Sequence, residues 1–300
     1  MRADAPFLLQ DIANWGIILY TFGNRNGSKH NSVPIATCCF DGTWRARNFK
    51  SSTYMEQKPR LSIIIPAYNE AKRLPLTLVD MKKHLDHVDF PYEVIVVDNG
   101  SKDSTVDIVL RFEHLWKELR LVECRPKGKG AAVQKGMAEA KGALRAFVDA
   151  DNSISIDQVI NAMRYEDKGY DVVIGSRDIE GAKRDQPWFR KLPGKMGNLF
   201  IQMMVLPGLK DTQCPLKLFS ERSAEDIFPL IRVKHWGFDV EILALAKKKG
   251  YKIKEVPATF INDPNSNIKA SAYLEVLWEV CKIRWWLWTN AYKIKSKKRN

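Results

Sequence analysis

Asp149 and Asp151 flank Ala150 directly after the apolar run at residues 144–148. On an extended segment alternate side chains point to the same side. Two carboxylates placed so can hold one divalent, oxygen-seeking ion, Mg²⁺ or Mn²⁺. Such an ion bridges a diphosphate and stabilises the charge of a departing nucleoside diphosphate. Asp-x-Asp is also common in solvated loops, so the pair gains meaning only from its company.

Two more polar clusters stand in the same relation to an apolar run. Pro66, Ala67, Tyr68, Asn69 and Glu70 follow residues 61–65, and Asp98, Asn99, Gly100 and Ser101 follow residues 92–97. An Asp–Gly–Ser at a strand end can be a turn with a cap. Three such clusters, each directly after a buried run, are harder to assign to turns alone. A fourth feature, Lys127-Gly128-Lys129-Gly130, precedes a helical stretch that starts at Ala131. A glycine-rich loop with lysines at a helix N-terminus suits phosphate. Neither a G-x-x-x-x-G-K-[ST] loop nor a G-x-G-x-x-G after the first strand is present, which argues against a nucleotide hydrolase and an NAD enzyme.

The elements that must position these residues are legible. Residues 61–65 form a β-branched run read as a buried strand halted by Pro66. Leu74, Leu78, Met81 and Leu85 recur at helical spacing. Residues 92–97, 119–123, 144–148 and 171–174 read as further strands. Helices are expected around Val106, Val109 and Leu110, over 131–141, and around Val159, Ile160 and Met163. Alternating strands and helices predict an α/β domain with a mainly parallel sheet. Ligands in open α/β sheets sit at the carboxyl ends of strands, so the polar clusters should converge on one edge.

Beyond Gly175 the rhythm loosens. Residues 177–195 hold Arg177, Lys183, Arg184, Arg190, Lys191 and Lys195 and read as a mobile basic loop. A helix over 199–206, a strand over 216–220, a helix over 239–249 and a strand over 251–260 are expected next. Leu274, Leu277, Trp278, Cys281, Trp285, Trp288 and Tyr292 fall on one helical stripe, with Glu275, Glu279 and Lys282 off it. Five basic residues follow in the last eight. The stripe reads either as a core-facing helix or as an amphipathic helix on an anionic membrane, with Trp at the interface and Lys at the phosphates.

Composition is that of a globular chain with ample apolar material for a core. The 300 residues are 45% hydrophobic and 28% charged, which excludes a disordered chain, a collagen-like fibre and a disulfide mini-protein. The net charge of +13 favours anionic partners. Nucleic acid is disfavoured among them, because the charge gathers in residues 177–195 and the C-terminal tail with no recognition motif. Five cysteines without C-x-x-C spacing suit a reducing compartment. Residues 7–20 are apolar but interrupted by Gln10, Asp11 and Asn14, so no signal peptide or membrane span is expected. Residues 1–58 show no sustained period and read as a loosely ordered arm, or as an extension upstream of a start at Met55.

The segments IIIPAYNE, VVDNGSKDST, KGKGAAV, DADNS, VIGSR, DTQCPLKLF and WGFDVEIL stand in the order seen in the family 2 glycosyltransferases. The chain resembles that family over residues 61–260, most of all its members that use polyprenyl or dolichyl phosphate. No counterpart of the membrane anchor that precedes the catalytic domain in eukaryotic members is expected in residues 1–58. The resemblance implies a GT-A fold over 59–262; residues 263–300 are read from the stripe and its basic end as an amphipathic helix and basic tail. It implies inverting transfer of a hexose, expected to be glucose, from a nucleoside-diphosphate sugar, expected to be UDP-glucose, to a lipid phosphate. Pro66, Ala67, Tyr68, Glu70, Asp98, Gly100, Ser101, Lys129, Gly130, Asp149, Ala150 and Gln213 would bind the nucleotide sugar. Asp149 and Asp151 would hold Mg²⁺ or Mn²⁺. Arg177, Lys183 and Arg190 would meet the acceptor phosphate. Asp151, Arg177 and Asp239 would act in catalysis, and Trp236 would close over the substrates.

A phosphate acceptor is already anionic, with a second pKa of ~6, and needs no strong base. With a hydroxyl acceptor, Asp239 becomes the preferred base; equally, it is an acid at a helix start favoured by the dipole. Competing readings are a transferase for polysaccharide or other hydroxyl acceptors, a GDP-mannose-dependent enzyme, and a silent sugar-nucleotide-binding module. The expected location is the cytoplasmic face of a membrane, held peripherally.

Overall fold

The computed structural model describes residues 36–38, 44–46, 57–185, 188–261 and 270–294; at 36–38, 44–46, 184–185, 188–195 and 270–273 it describes the backbone alone. The chain divides between Gln57 and Lys58. Of the first part, two short antiparallel strands are described, β1 (Ala36–Cys38) and β2 (Trp44–Ala46). The expectations of a loose arm and of a start at Met55 lie outside the described residues, as does the tail beyond Ile294.

From Lys58 onward strands and helices alternate: β3 (Leu61–Ala67), α1 (Leu74–Leu85), β4 (Tyr92–Asp98), α2 (Thr105–Leu115), β5 (Leu119–Glu123), α3 (Lys129–Glu139), β6 (Leu144–Phe147), α4 (Ile156–Ala162) and β7 (Val172–Ser176). Then come β8 (Lys183–Asp185), α5 (Trp188–Met204), β9 (Lys217–Ser220), α6 (Glu221–Ile227), α7 (Phe238–Lys249), β10 (Ile253–Pro257), β11 (Thr259–Ile261) and α8 (Ala270–Trp288). Seven strands make one sheet in the order β10-β7-β9-β6-β3-β4-β5. All its pairs are parallel except those of β9, which runs against both β6 and β7. This is the mainly parallel α/β sheet that the sequence pattern predicts.

Alternation along the central strand builds a core on each face. Ile64 faces one layer with Val97, Phe147 and Phe238, while Leu61, Ile63 and Ile65 face another with Leu74, Leu78 and Val159. Every one of these is essentially buried. Such double-sided burial is what continuous apolar runs require.

Four expectations need correction. β3 does not stop at Pro66 but runs to Ala67, paired with Val97 and Asp98 of β4. The β6 pairing has already ended at Ile64, so on that side the missing proline N–H costs no ladder bond. Residues 177–195 are not one loop: β8 pairs with β11 there, and α5 starts at Trp188. The strand expected over 251–260 is broken at Ala258, β10 joining the main sheet and β11 a separate pair. The stripe does not share one environment: Tyr292 lies past the end of α8 and is buried, as is Glu279 off the stripe, while Leu274, Trp278, Trp285 and Trp288 are exposed.

Candidate active site

The loops after β3 and β4 are stitched together by short polar side chains. The Asn69 N–H donates to Ser101 Oγ at 2.9 Å, the Glu70 N–H to Thr105 Oγ1 at 2.8 Å, and the Lys102 N–H to Asn69 Oδ1 at 2.8 Å. Asn69 and Gly100 take positive φ, at 54° and 82°. Asn is among the few side chains that tolerate this region. Asp98 is 5% exposed and accepts from the N–H groups of Gly100 (3.0 Å) and Ser101 (3.2 Å). These contacts are those of a turn cap. Pro66 and Ala67 are buried strand residues, and Tyr68 stands exposed beyond them.

The acidic cluster lies beside these loops. The Lys129 ammonium is 2.5 Å from Asp149 Oδ1, and Arg73 Nη1 is 3.5 Å from Asp151 Oδ2. Arg73 also makes a two-point pair with Glu70, at 2.7 and 2.5 Å. The backbone turns at Ala150 and Asp151 instead of continuing extended, so the two aspartates are not aligned by simple alternation. They remain close enough to act on the same neighbours. Burial raises the Glu70 carboxyl above its ordinary value, Arg73 opposes this, and the Asp151 and Asp149 charges add to it. Burial alone would lower the Lys129 ammonium, but Asp149, Asp239 and Asp151 outweigh it, and Lys129 is held firmly protonated. The ring of Trp236 lies 5.6 Å from the Lys129 ammonium.

Asp149 Oδ1 is buried and receives no well-aligned hydrogen bond; what meets it is charge, from Lys129. An oxygen in that state suits a hard cation. Among the described residues no group of three or more His, Cys, Asp or Glu is arranged around one metal position. Asp149 and Asp151 are the residues here that could hold such an ion.

The glycine loop does not cradle phosphate with its backbone. The N–H groups of Gly130 and Ala131 donate to the Lys234 carbonyl at 2.8 and 3.3 Å, and that of Gly128 to Asn99 Oδ1 at 2.7 Å. A Cβ on Gly130 would lie 2.8 Å from both Phe238 Cβ and Val233 O. Gly130 is thus a close-packing position for residues 231–238, and the Lys129 side chain is what the loop presents to the acidic cluster.

That 231–238 segment is held from behind. Glu241 is fully buried and accepts from the N–H groups of Arg232 and Val233 and from Tyr292 Oη, the last at 2.6 Å. Glu279 of α8 accepts from the Gly237 N–H at 2.7 Å. Burial raises both carboxyls. Trp236 sits between these anchors.

Asp239 is buried at the start of α7, paired at 2.6 Å with the fully buried ammonium of Lys217, which also donates to the Cys214 carbonyl at 2.7 Å. Arg177, past the end of β7, makes a two-point pair with Asp211 at 2.6 and 2.9 Å. Gln213 is exposed, and its N–H reaches the same Asp211 at 3.2 Å. Lys183 is exposed on β8. Arg190 falls in α5, where its side chain is outside the described atoms. Sequence reasoning missed Arg73, Asp211 and Lys217. Lys217 carried a signal: a cation between Leu216 and Leu218 in a buried strand needs an anion.

Residues 62–228 match the model of glycosyl transferase family 2. The chain belongs to that family. Among curated members it is 34% identical over 256 residues to a dolichyl-phosphate beta-glucosyltransferase of Dictyostelium discoideum, covering 79% of this chain and 77% of that protein. It is 29% identical over 225 residues to the Homo sapiens protein of the same name, covering 70% and 69%. Among solved structures, a glucosyl-3-phosphoglycerate synthase from Mycobacterium tuberculosis in complex with Mn²⁺, UDP and phosphoglyceric acid superposes with a TM-score of 0.58 at 16% identity, over 75% of this chain and 77% of that one. The same synthase with UDP gives 0.57 at 17%. These superpositions show the GT-A fold. The family 2 assignment makes the chain a glycosyltransferase.

Proposed function

We propose that this enzyme transfers glucose from UDP-glucose to dolichyl or another polyprenyl phosphate, with inversion at the anomeric carbon. The likeness to the Dictyostelium glucosyltransferase over more than three quarters of both chains carries this reading. The site chemistry supports it. Tyr68 and the stitched loops after β3 and β4 would flank the nucleoside. Asp149 and Asp151 would hold Mg²⁺ or Mn²⁺, which supplies charge neutralisation at the diphosphate. Lys129 sits against the same carboxylates and offers a fixed positive charge to the departing UDP.

The acceptor phosphate carries its own negative charge, so the protein has to position two anions and offset their repulsion. Lys183 and Arg190 are the cations proposed for the acceptor. Arg177 is committed to Asp211, and its proposed role is to hold the β7 end that carries this region. The Lys217 partner of Asp239 favours a positioning role over that of a free base, which fits a phosphate acceptor better than a hydroxyl. A lipid acceptor places the reaction at a membrane surface, proposed to be an anionic cytoplasmic face. Among the described residues no helix is long and apolar enough to cross a membrane.

The test is a donor and acceptor screen. UDP-glucose, UDP-galactose and GDP-mannose are offered with short polyprenyl phosphates and with hydroxyl acceptors, in Mn²⁺, Mg²⁺ and chelator. Metal-dependent transfer from UDP-glucose to the phosphate is expected. Transfer to hydroxyls alone, or from GDP-mannose alone, overturns the reading.

A further inference from the structure

Helix α8 has two apolar faces. One packs inward: Val280 and Ile283 are fully buried, and Val276, Trp286 and Leu287 pack against the same core. The other faces outward: Leu274, Trp278, Trp285 and Trp288 are 70%, 61%, 57% and 74% exposed, with Cys281 among them. At 3.6 residues per turn these five fall within an arc of about 80°. Trp285 and Trp288 meet edge to face at 5.3 Å, forming one continuous aromatic surface. Helix α5 packs against α8 and exposes a second row, Met196, Leu199 and Met203, at helical spacing. Exposed apolar surface of this extent marks an interaction site.

Charge tells which partner fits. Lys282 and Arg284 are exposed on the two flanks of the outward arc, and the Lys282 ammonium lies 5.4 Å over the Trp278 ring. Lys293, Lys295, Lys297, Lys298 and Arg299 follow in the sequence, against one exposed acid on the helix, Glu275. Tryptophan in an apolar arc with cations on its rim matches the headgroup boundary of a bilayer, where rings sit at the interface and lysines reach the phosphates. A second copy of the chain would bring the same cations against these, which is repulsive.

We infer that the outward face of α8, centred on Trp278, Trp285 and Trp288, is a docking surface for an anionic lipid bilayer. The inference deepens the proposed lipid-phosphate reaction by naming the surface that brings the enzyme to its acceptor. Binding itself requires no turnover, so the two readings fail separately.

The experiment uses the full chain. Flotation is measured with vesicles of phosphatidylcholine alone and of phosphatidylcholine with about 30 mol% phosphatidylserine, an anionic lipid of the kind that attracts basic segments. Trp285→Ser/Trp288→Ser and Leu274→Ser/Trp278→Ser are compared with the parent, with thermal unfolding and UDP affinity as controls for the fold. The parent should float with the anionic vesicles, less as salt rises, and lipids brominated near the headgroup should quench its tryptophan emission. Each double variant should bind at least tenfold more weakly with unchanged UDP affinity. Failure of the parent to float, equal binding by the variants, or a solution dimer abolished by them without vesicle binding overturns the docking surface. Vesicle binding without transfer to polyprenyl phosphate would overturn the reaction and leave the surface; transfer to a short soluble acceptor without vesicle binding would do the reverse.

Discussion

Lys217 Nζ lies 2.6 Å from Asp239 Oδ1, a buried ion pair that ties the antiparallel strand β9 to the first turn of α7. Replacing Lys217 with Met leaves the Asp239 charge buried without its cation, a loss of about 3–5 kcal/mol for pairs of this kind. Denaturant unfolding should show it. If Asp239 positions and does not abstract a proton, Asp239→Asn lowers stability and kcat while the shape of the pH–rate profile stays that of the parent. Disappearance of one limb of that profile would restore Asp239 as a base.

Asp151 stands at a solvent-reached turn, not in the core. Asp151→Asn should reduce turnover by at least 10²-fold, the order typical of a lost electrostatic stabiliser, with a thermal midpoint within a few degrees of the parent. Full activity of the variant in Mn²⁺ would remove Asp151 from the metal reading.

The Arg177–Asp211 pair gives a pH signature. Burial would raise the Asp211 carboxyl, but Arg177 outweighs it and holds the group below its ordinary value. A carboxylate so lowered contributes stability above its unfolded pKa of ~3.9, and that stability is lost as pH falls through the lower folded value. Acid unfolding should therefore steepen below about pH 4. Asp211→Asn should remove that part of the pH dependence and cost about 3–5 kcal/mol at neutral pH, because Arg177 is left uncompensated.

Gly130→Ala tests the packing role of the glycine loop. The new Cβ would meet Phe238 Cβ and Val233 O at 2.8 Å, one of them backbone. Overpacking of this sort costs about 1–3 kcal/mol. Displacement of the 231–238 segment should also change Trp236 fluorescence and weaken UDP binding by calorimetry. An unchanged thermal midpoint would contradict the close approach.

The sheet was legible because β-strands buried on both faces need continuous apolar runs, and residues 61–65, 92–97 and 144–148 are such runs. The site edge was legible for the same reason: polar clusters placed directly after those runs had one place to go. Partners across the chain were not legible. Nothing local joins Asp211 to Arg177, 34 residues away, or Glu279 to Gly237, 42 residues away. The lysine–glycine loop misled because its composition suits a phosphate, while the Lys234 carbonyl that takes its N–H groups lies about a hundred residues further on. The α8 stripe was found as a stripe; its direction followed only from which residues the fold buries.

Glu279 and Tyr292 give the C-terminal region a second consequence. Gly237 has no room for a side chain, since a Cβ there would lie 2.7 Å from Glu279 Oε2. Were the chain to end before residue 270, the Gly237 N–H would lose its acceptor and buried Glu241 its phenolic donor. The damage would appear around Trp236, more than thirty residues upstream of the cut. The C-terminus is thus a keystone of the catalytic unit, and a shortened chain would lose activity even toward substrates that never touch a lipid surface.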